Sequence, residues 1–281
     1  MYRSSLAAAI AAWAATTGLA AASANAAAAG ALAPHRAIYD IELKEASERS
    51  GIEGMRGRMV YEFNGSECAG YTTNFRFVTR IDTGEQVRVT DQQSLTFEDL
   101  TAGLFRFETK SFTDDKLDKD VSGTAEEQDG NVSIELSEPE PRELELASSR
   151  FPASHMLEVI ENARKGKKLF EARIFDGSEN GDETYLTTTI VGNAQKPEAG
   201  DADAAKAGDL ANASYWPVSI AYFDESTTGD VVPVYTQSFK LYENGVTRDL
   251  TLDYGDFVLT GRLSKLEILG TGDCNQAKAK P

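Results

Sequence analysis

Two histidines, His35 and His155, and two cysteines, Cys68 and Cys274, are the residues best suited to acid–base, nucleophilic or metal chemistry in this 281-residue chain. Either imidazole could serve as a general base if a carboxylate oriented it. No G-x-S-x-G turn supplies a serine nucleophile, and no glycine-rich phosphate loop opens a helix. His35 starts a strand-like run and His155 sits in a helix-like one, where a packed or hydrogen-bonded imidazole is the commoner outcome. Asp176-Gly177-Ser178-Glu179-Asn180-Gly181-Asp182 resembles the start of a calcium loop, with oxygen-bearing residues at alternate positions and glycine at the sixth. Its twelfth position is Thr187, where a bidentate glutamate is required, so a polar hairpin loop is expected. Pairs of carboxylates carry little information among 45 acidic residues. No catalytic, cofactor or metal residue is assigned.

Export gives the cysteines their meaning. Of the first 33 residues 17 are alanine. Arg3, the uncharged run from Leu6 to Ala22, and A-x-A steps at Ala22-Ser23-Ala24 and Ala24-Asn25-Ala26 have the three-part layout of a secretory signal peptide. Residues 1–26 are expected to be removed, leaving 27–281 as a single domain. No later stretch is apolar for the roughly 18 residues of a membrane-spanning helix. A net charge of −17 argues against nucleic acid and against anionic lipid surfaces as partners. In an oxidising compartment Cys68 and Cys274 are expected to form a disulfide. It would close a loop of about 200 residues, worth about 5 kcal/mol at most. Two readings compete with it. A zinc site needs four ligands, and neither histidine has a recognisable spacing to the cysteines. A redox-active thiol would usually show a C-x-x-C pair. A bond from the tail to the turn around Cys68 would require a curled or closed sheet.

Period-two alternation runs through most of the chain, the pattern of half-buried antiparallel strands. Thirteen runs are read as strands: 35–43, 55–63, 71–81, 86–97, 104–112, 117–127, 131–136, 168–175, 184–191, 215–223, 232–241, 246–254 and 257–269. Turn residues separate them, and Asn244-Gly245 predicts a type I′ hairpin. Residues 152–166 break the period. Ala153, Met156, Leu157, Ile160 and Ala163 recur at helical spacing after Pro152, and Gly166 follows Arg164 and Lys165, so one amphipathic helix is expected to cover the concave side of the sheet. The Ala- and Asp-rich stretch 195–213 has no apolar periodicity and reads as a long, mobile acidic loop.

Several stretches in this order resemble the EipB-type periplasmic cell-envelope integrity proteins of α-proteobacteria. They are Ala33-Pro34-His35-Arg36-Ala37-Ile38-Tyr39, Cys68-Ala69-Gly70-Tyr71, Asn74-Phe75-Arg76-Phe77, Phe151-Pro152 with His155, Tyr215-Trp216-Pro217-Val218, Leu241-Tyr242-Glu243-Asn244-Gly245-Val246, Asp253-Tyr254-Gly255-Asp256-Phe257 and Gly272-Asp273-Cys274. The resemblance implies an all-β fold, an antiparallel β-spiral or incompletely closed barrel of about 13–14 strands with one helix. It also implies a periplasmic location, a disulfide between Cys68 and Cys274, a tetratricopeptide-repeat protein as partner, and no enzymatic activity. The fold it implies looks similar to LolA- and LolB-type lipoprotein carriers.

Three functions therefore compete: envelope support through a protein partner, carriage of a lipid or acylated protein against inward-facing aromatics (Phe75, Phe77, Phe105 and Phe107), and hydrolysis or another enzymatic reaction using His35 or His155 with a carboxylate. A filled interior would exclude the second. Histidines remote from any cleft would exclude the third.

Overall fold

The computed structural model describes residues 32–225 and 232–270. The expected signal peptide and Cys274 lie outside them. The alternating runs form one antiparallel sheet of 14 strands. β1 (His35–Ala46), β2 (Gly54–Ser66), β3 (Gly70–Asp82), β4 (Val87–Asp99), β5 (Leu104–Thr113), β6 (Lys116–Gln128), β7 (Asn131–Glu138) and β8 (Arg142–Ala147) pair in succession. After the helix α1 (Pro152–Arg164), β9 (Leu169–Ile174), β10 (Tyr185–Val191), β11 (Tyr215–Asp224), β12 (Tyr235–Tyr242), β13 (Thr247–Asp253) and β14 (Phe257–Ile268) do the same. β14 then pairs with β1 from Ala46↔Phe257 to His35↔Ile268. The last strand thus returns to the first, as a curled sheet requires.

The curl stops short of a barrel. β8 and β9 remain the two ends of the strand order. The gap is tacked by Arg150, whose N–H donates to the Arg173 carbonyl at 2.7 Å and whose carbonyl accepts from Phe175 N–H at 3.0 Å. β8 is the strand the sequence reading misses. Its Leu144 and Leu146 alternate over only six residues, between Pro141 and a serine pair, too short a run to stand out. The Asn244-Gly245 hairpin forms, but not as type I′, because only Gly245 takes a positive φ, +86°. Gly245 N–H donates to the Tyr242 carbonyl at 3.0 Å and Tyr242 N–H to the Val246 carbonyl at 2.9 Å, the bonding of a longer loop. A side chain at Gly245 would stand 2.7 Å from Leu32.

The concave face carries two separate apolar cores. The larger joins β1 and β11–β14 to α1 through Tyr39, Ile41, Leu241, Leu252, Leu259 and Val159. The smaller lies under β5–β7, where Phe105 and Phe107 meet Phe151 and Phe175. Gly177 closes over this second core at φ +69°, and a Cβ there would collide with the Phe107 ring.

α1 buries Ala153, His155, Val159, Ile160 and Ala163. Its preceding residue, Phe151, has no side-chain oxygen with which to cap the first N–H groups of the helix. Glu98 of β4, only 4 % exposed, does so instead, accepting from Ala153 N–H at 2.7 Å and Ser154 N–H at 2.8 Å. Burial pushes the Glu98 carboxyl above its ordinary range, and the two N–H donors oppose that shift.

The acidic segment 195–213 departs from the expected mobile loop. It contains a short helix α2 (Ala202–Ala205) and buries Asp203, Ala204 and Ala207. Asp203 Oδ2 accepts from Leu263 N–H at 2.8 Å, while Asp201 meets Arg248 Nη1 at 2.9 Å and Lys240 Nζ at 3.1 Å. Arg248 is fully buried, stacks its guanidinium 4.8 Å from the Tyr215 ring centre, and donates from Nε to Tyr242 Oη at 2.8 Å. Burial disfavours the Asp201 carboxylate. The Ala204 N–H, Lys240 and Arg248 overcome that and bring it down to about 2. The segment is held by charge rather than by an apolar stripe, which is why hydrophobic periodicity did not find it.

Candidate functional site

Between the larger core and the first four strands the spiral leaves a cavity of about 810 Å³. One wall comes from alternate residues of β1–β3, among them Met59, Tyr61, Phe63, Phe75 and Phe77. The facing wall comes from β11–β13, including Ile220, Tyr222, Tyr235, Phe239 and Leu250. The start of α1 roofs it with Pro152, Ala153, His155 and Met156. Period two places these rings inward, and the missing β8–β9 contact lets the walls stand apart. A hollow of about 470 Å³ on the outer face lies over Asp40, Arg56, Arg58 and Arg80. There Arg58 and Asp40 pair at 2.8 Å in solvent, and the hollow is shallow and edged by charged side chains.

Both histidines line the cavity. His35 is buried between the Tyr61 and Phe63 rings, with centroids at 5.6 and 6.0 Å, and its Nδ1 bonds the Ala33 carbonyl at 2.7 Å. Burial lowers its pKa against the opposing effect of that carbonyl. His155 is 5 % exposed, and its Nε2 has no hydrogen-bond partner among the described residues. Burial first, and the Arg150 charge second, bring it down to about 4. Both rings are therefore neutral at pH 7. For neither is a bond to an orienting carboxylate found among the described residues, unlike the bases of nucleophilic triads.

The aromatics singled out from sequence divide between two places. Phe75 and Phe77 line the cavity, whereas Phe105 and Phe107 pack into the second core. The loop beginning at Asp176 contributes Asp176, Ser178 and Glu179 to the cavity rim. Among the described residues no group of three or more His, Cys, Asp or Glu could hold a metal ion. Cys68 lies in the β2–β3 turn, 3.3 Å from Ser66 Oγ. Its expected partner, Cys274, is outside the described residues, so the pairing remains a proposal. Sequence reasoning did not anticipate a ladder of rings on the rim: Tyr185, Tyr222, Tyr235, Tyr254 and Phe257, with successive centroids 6.4, 5.5, 4.9 and 4.8 Å apart. Its signal was available, since Tyr185, Tyr222, Tyr235 and Phe257 sit at or near strand ends in the inward phase and Tyr254 directly follows β13.

A curled, unclosed antiparallel sheet with a helix over an aromatic cavity defines the class, a β-spiral or barrel-like protein. Comparison narrows this to one lineage. The chain belongs to the EipB-like family, whose model matches residues 26–270. It is 51 % identical over 250 residues to the cell envelope integrity protein EipB of Brucella abortus (strain 2308), covering 89 % of each chain. A crystal structure of a beta-barrel-like protein of a domain of unknown function, also from Brucella abortus, superimposes with a TM-score of 0.81 at 50 % identity. That match covers 85 % of this chain and 99 % of the other. Among the described residues no helix is long and apolar enough to cross a membrane.

Proposed function

We propose that this protein serves cell-envelope integrity from the periplasm by holding an apolar ligand, the acyl part of a lipid or acylated protein, inside the spiral. The observation that supports this reading is the cavity itself. Its 810 Å³ lies within the size range of small-molecule sites, and it is walled by aromatic and aliphatic side chains. The sequence reading made a filled interior the condition for abandoning a carrier role, and the interior is open. The reading is binding rather than turnover, because two buried neutral imidazoles without orienting carboxylates make poor bases.

The test uses the exported form and N-phenyl-1-naphthylamine, a neutral dye that brightens in apolar surroundings, with dodecyl maltoside as competitor. Saturable fluorescence that the competitor displaces is expected. Gln237→Trp adds a large ring at a cavity-lining position of β12 and should abolish the signal while the circular dichroism stays unchanged. If the dye does not bind, or binds equally to the filled variant, the carrier reading fails. Envelope support through a tetratricopeptide-repeat partner is then the reading that stands.

A further inference from the structure

We infer that the acidic segment 196–214 is a strap over a lateral gate, and that the apolar ligand enters and leaves the cavity between β13 and β14. This rests on the reading of the cavity as an acyl site and goes beyond it by assigning the route. The sheet is incomplete at that place. β13 and β14 pair only from Leu250↔Gly261 to Asp253↔Val258. Past Gly261 the sheet forks. Thr247 and Arg248 stay with β12, opposite Leu241 and Lys240, while Arg262 and Leu263 stay with β1, opposite Asp40 and Tyr39. The fork begins at a β-bulge, where Asp249 takes a positive φ of +52° and turns the strand aside.

Two side chains fill the fork in place of a strand ladder. On the inside, Tyr39 Oη donates to the Thr247 carbonyl at 2.7 Å, and both residues line the cavity. From the strap, the Asp203 carboxylate accepts from Leu263 N–H at 2.8 Å and from Asp249 N–H at 3.3 Å, one donor from each side of the split. α2 accordingly packs on both β13 and β14. Tyr39 and Asp203 are neighbours: burial pushes the Tyr39 hydroxyl upward, the Thr247 bond opposes this, and the charges of Tyr61 and Asp203 add to the rise.

The strap is built to lift. Gln195 and Tyr215 exchange both main-chain hydrogen bonds at 2.9 Å, so its two ends meet in a fixed neck and the loop between them can swing without unpairing β11. Its apolar contact with the larger core is small, Ala207 with Leu210 and Ala213 at the margin. Charge holds the rest, through Asp201 to Arg248 and Lys240, and water and salt screen such pairs once they part. Arg248 Nη2 is buried in this closed arrangement with no hydrogen-bond partner among the described residues. That cost belongs to the closed state. Opening admits water to the guanidinium and relieves it, which lowers the free energy of lifting the strap.

The test follows release of the naphthylamine dye into excess dodecyl maltoside at pH 7, together with its equilibrium affinity. Asp203→Ala removes the acceptor shared by the two sides of the fork and should speed release about tenfold. Entry should speed equally, so the affinity stays unchanged, as expected when a barrier and not a contact has been altered. Asp203→Asn, close to the native size, should act in the same direction by about threefold and replaces the alanine variant if that one does not fold. Two controls should release dye at the wild-type rate. Arg142→Ala breaks the Arg142–Asp182 pair on the rim loop, and Phe105→Ala loosens the second core without touching the strap. Unchanged release in the Asp203 variant overturns the gate. So does faster release in Arg142→Ala, which places the exit at the rim. So does an equal acceleration in Phe105→Ala, which makes the effect a general loosening. Those three outcomes leave the acyl site standing, whereas a wild-type protein that never binds the dye overturns both readings.

Discussion

Two aromatic clusters share the concave face of one sheet and end in opposite conditions. Under β5–β7, Phe105, Phe107, Phe151 and Phe175 stand with ring centroids 5.0 to 6.4 Å apart and are at most 3 % exposed. Under β2–β4, Phe75 and Tyr61 point the same way with the same period, yet they border 810 Å³ of space. Residue type and phase do not separate the two. What differs is the material opposite. The connections flanking α1 and β9 drop Phe151 and Phe175 onto the first cluster, and Gly177 lets the backbone close over it. Only the first turn of α1 reaches the second, and Glu98 pins that turn at the wall instead of letting it sink inward. In a spiral, therefore, the chain segments that cross the unclosed seam decide which part is core and which part is site.

The sharpest way to break this comparison is to remove a ring from the closed cluster. Phe105→Ala deletes a fully buried side chain with neighbours on all sides and should cost about 3–5 kcal/mol, read as a lowered urea midpoint with unchanged slope. The dye should still enter the cavity of the folded fraction, since Phe105 does not line it. A loss below about 1 kcal/mol would mean that the cluster is not the tight core its ring spacings indicate.

The sheet was legible in the sequence because period two survives wherever one face is buried, and His35, Tyr39, Ile41 and Phe77 all fall where their phase puts them. The helix was legible for the same reason at a different period. The division of the phenylalanines was not, because alternation assigns a face and says nothing of what lies across it. Phe75 and Phe105 look alike until Phe151 and Phe175 are placed. The anchoring of 195–213 was hidden for another reason. Asp201 and Asp203 read as solvent residues until Arg248, some 47 residues further along, is seen buried beneath them. Long-range charge pairing leaves no local pattern.

A second prediction distinguishes the clusters by pH. His155 borders the cavity, whereas the closed cluster holds no titratable side chain. The imidazole protonates near 6.5 when unfolded and near about 4 when folded. Between these values the unfolded chain binds the extra proton, so stability falls as the pH is lowered. The contribution is intact above pH 6.5 and fades as the pH drops toward 4. It amounts to about 2–3 kcal/mol between pH 7 and 4.5. His155→Leu should abolish that part of the acid sensitivity, measured as the difference between wild type and variant at the two pH values. His35, also lowered by burial, has the same sign and cancels in the difference. Parallel pH profiles would show that His155 is solvated from the cavity and is not held neutral by burial.

The smallest effect tests the open side directly. Phe75 is half-buried on the cavity wall, touching Phe77 at 6.4 Å between ring centres. Phe75→Ala removes fewer contacts than Phe105→Ala and merges its space with a void that already exists, so the cavity penalty of a core truncation is largely absent. The expected cost is about 1 kcal/mol. The dye, by contrast, loses an aromatic wall, and its affinity should drop several-fold although the fold is nearly as stable as before. A variant that loses stability while binding normally would invert the assignment, making Phe75 core and placing the ligand elsewhere. The pairing of a small stability change with a large binding change is what separates a wall from a core, and here the two differ only in what the chain has laid across them.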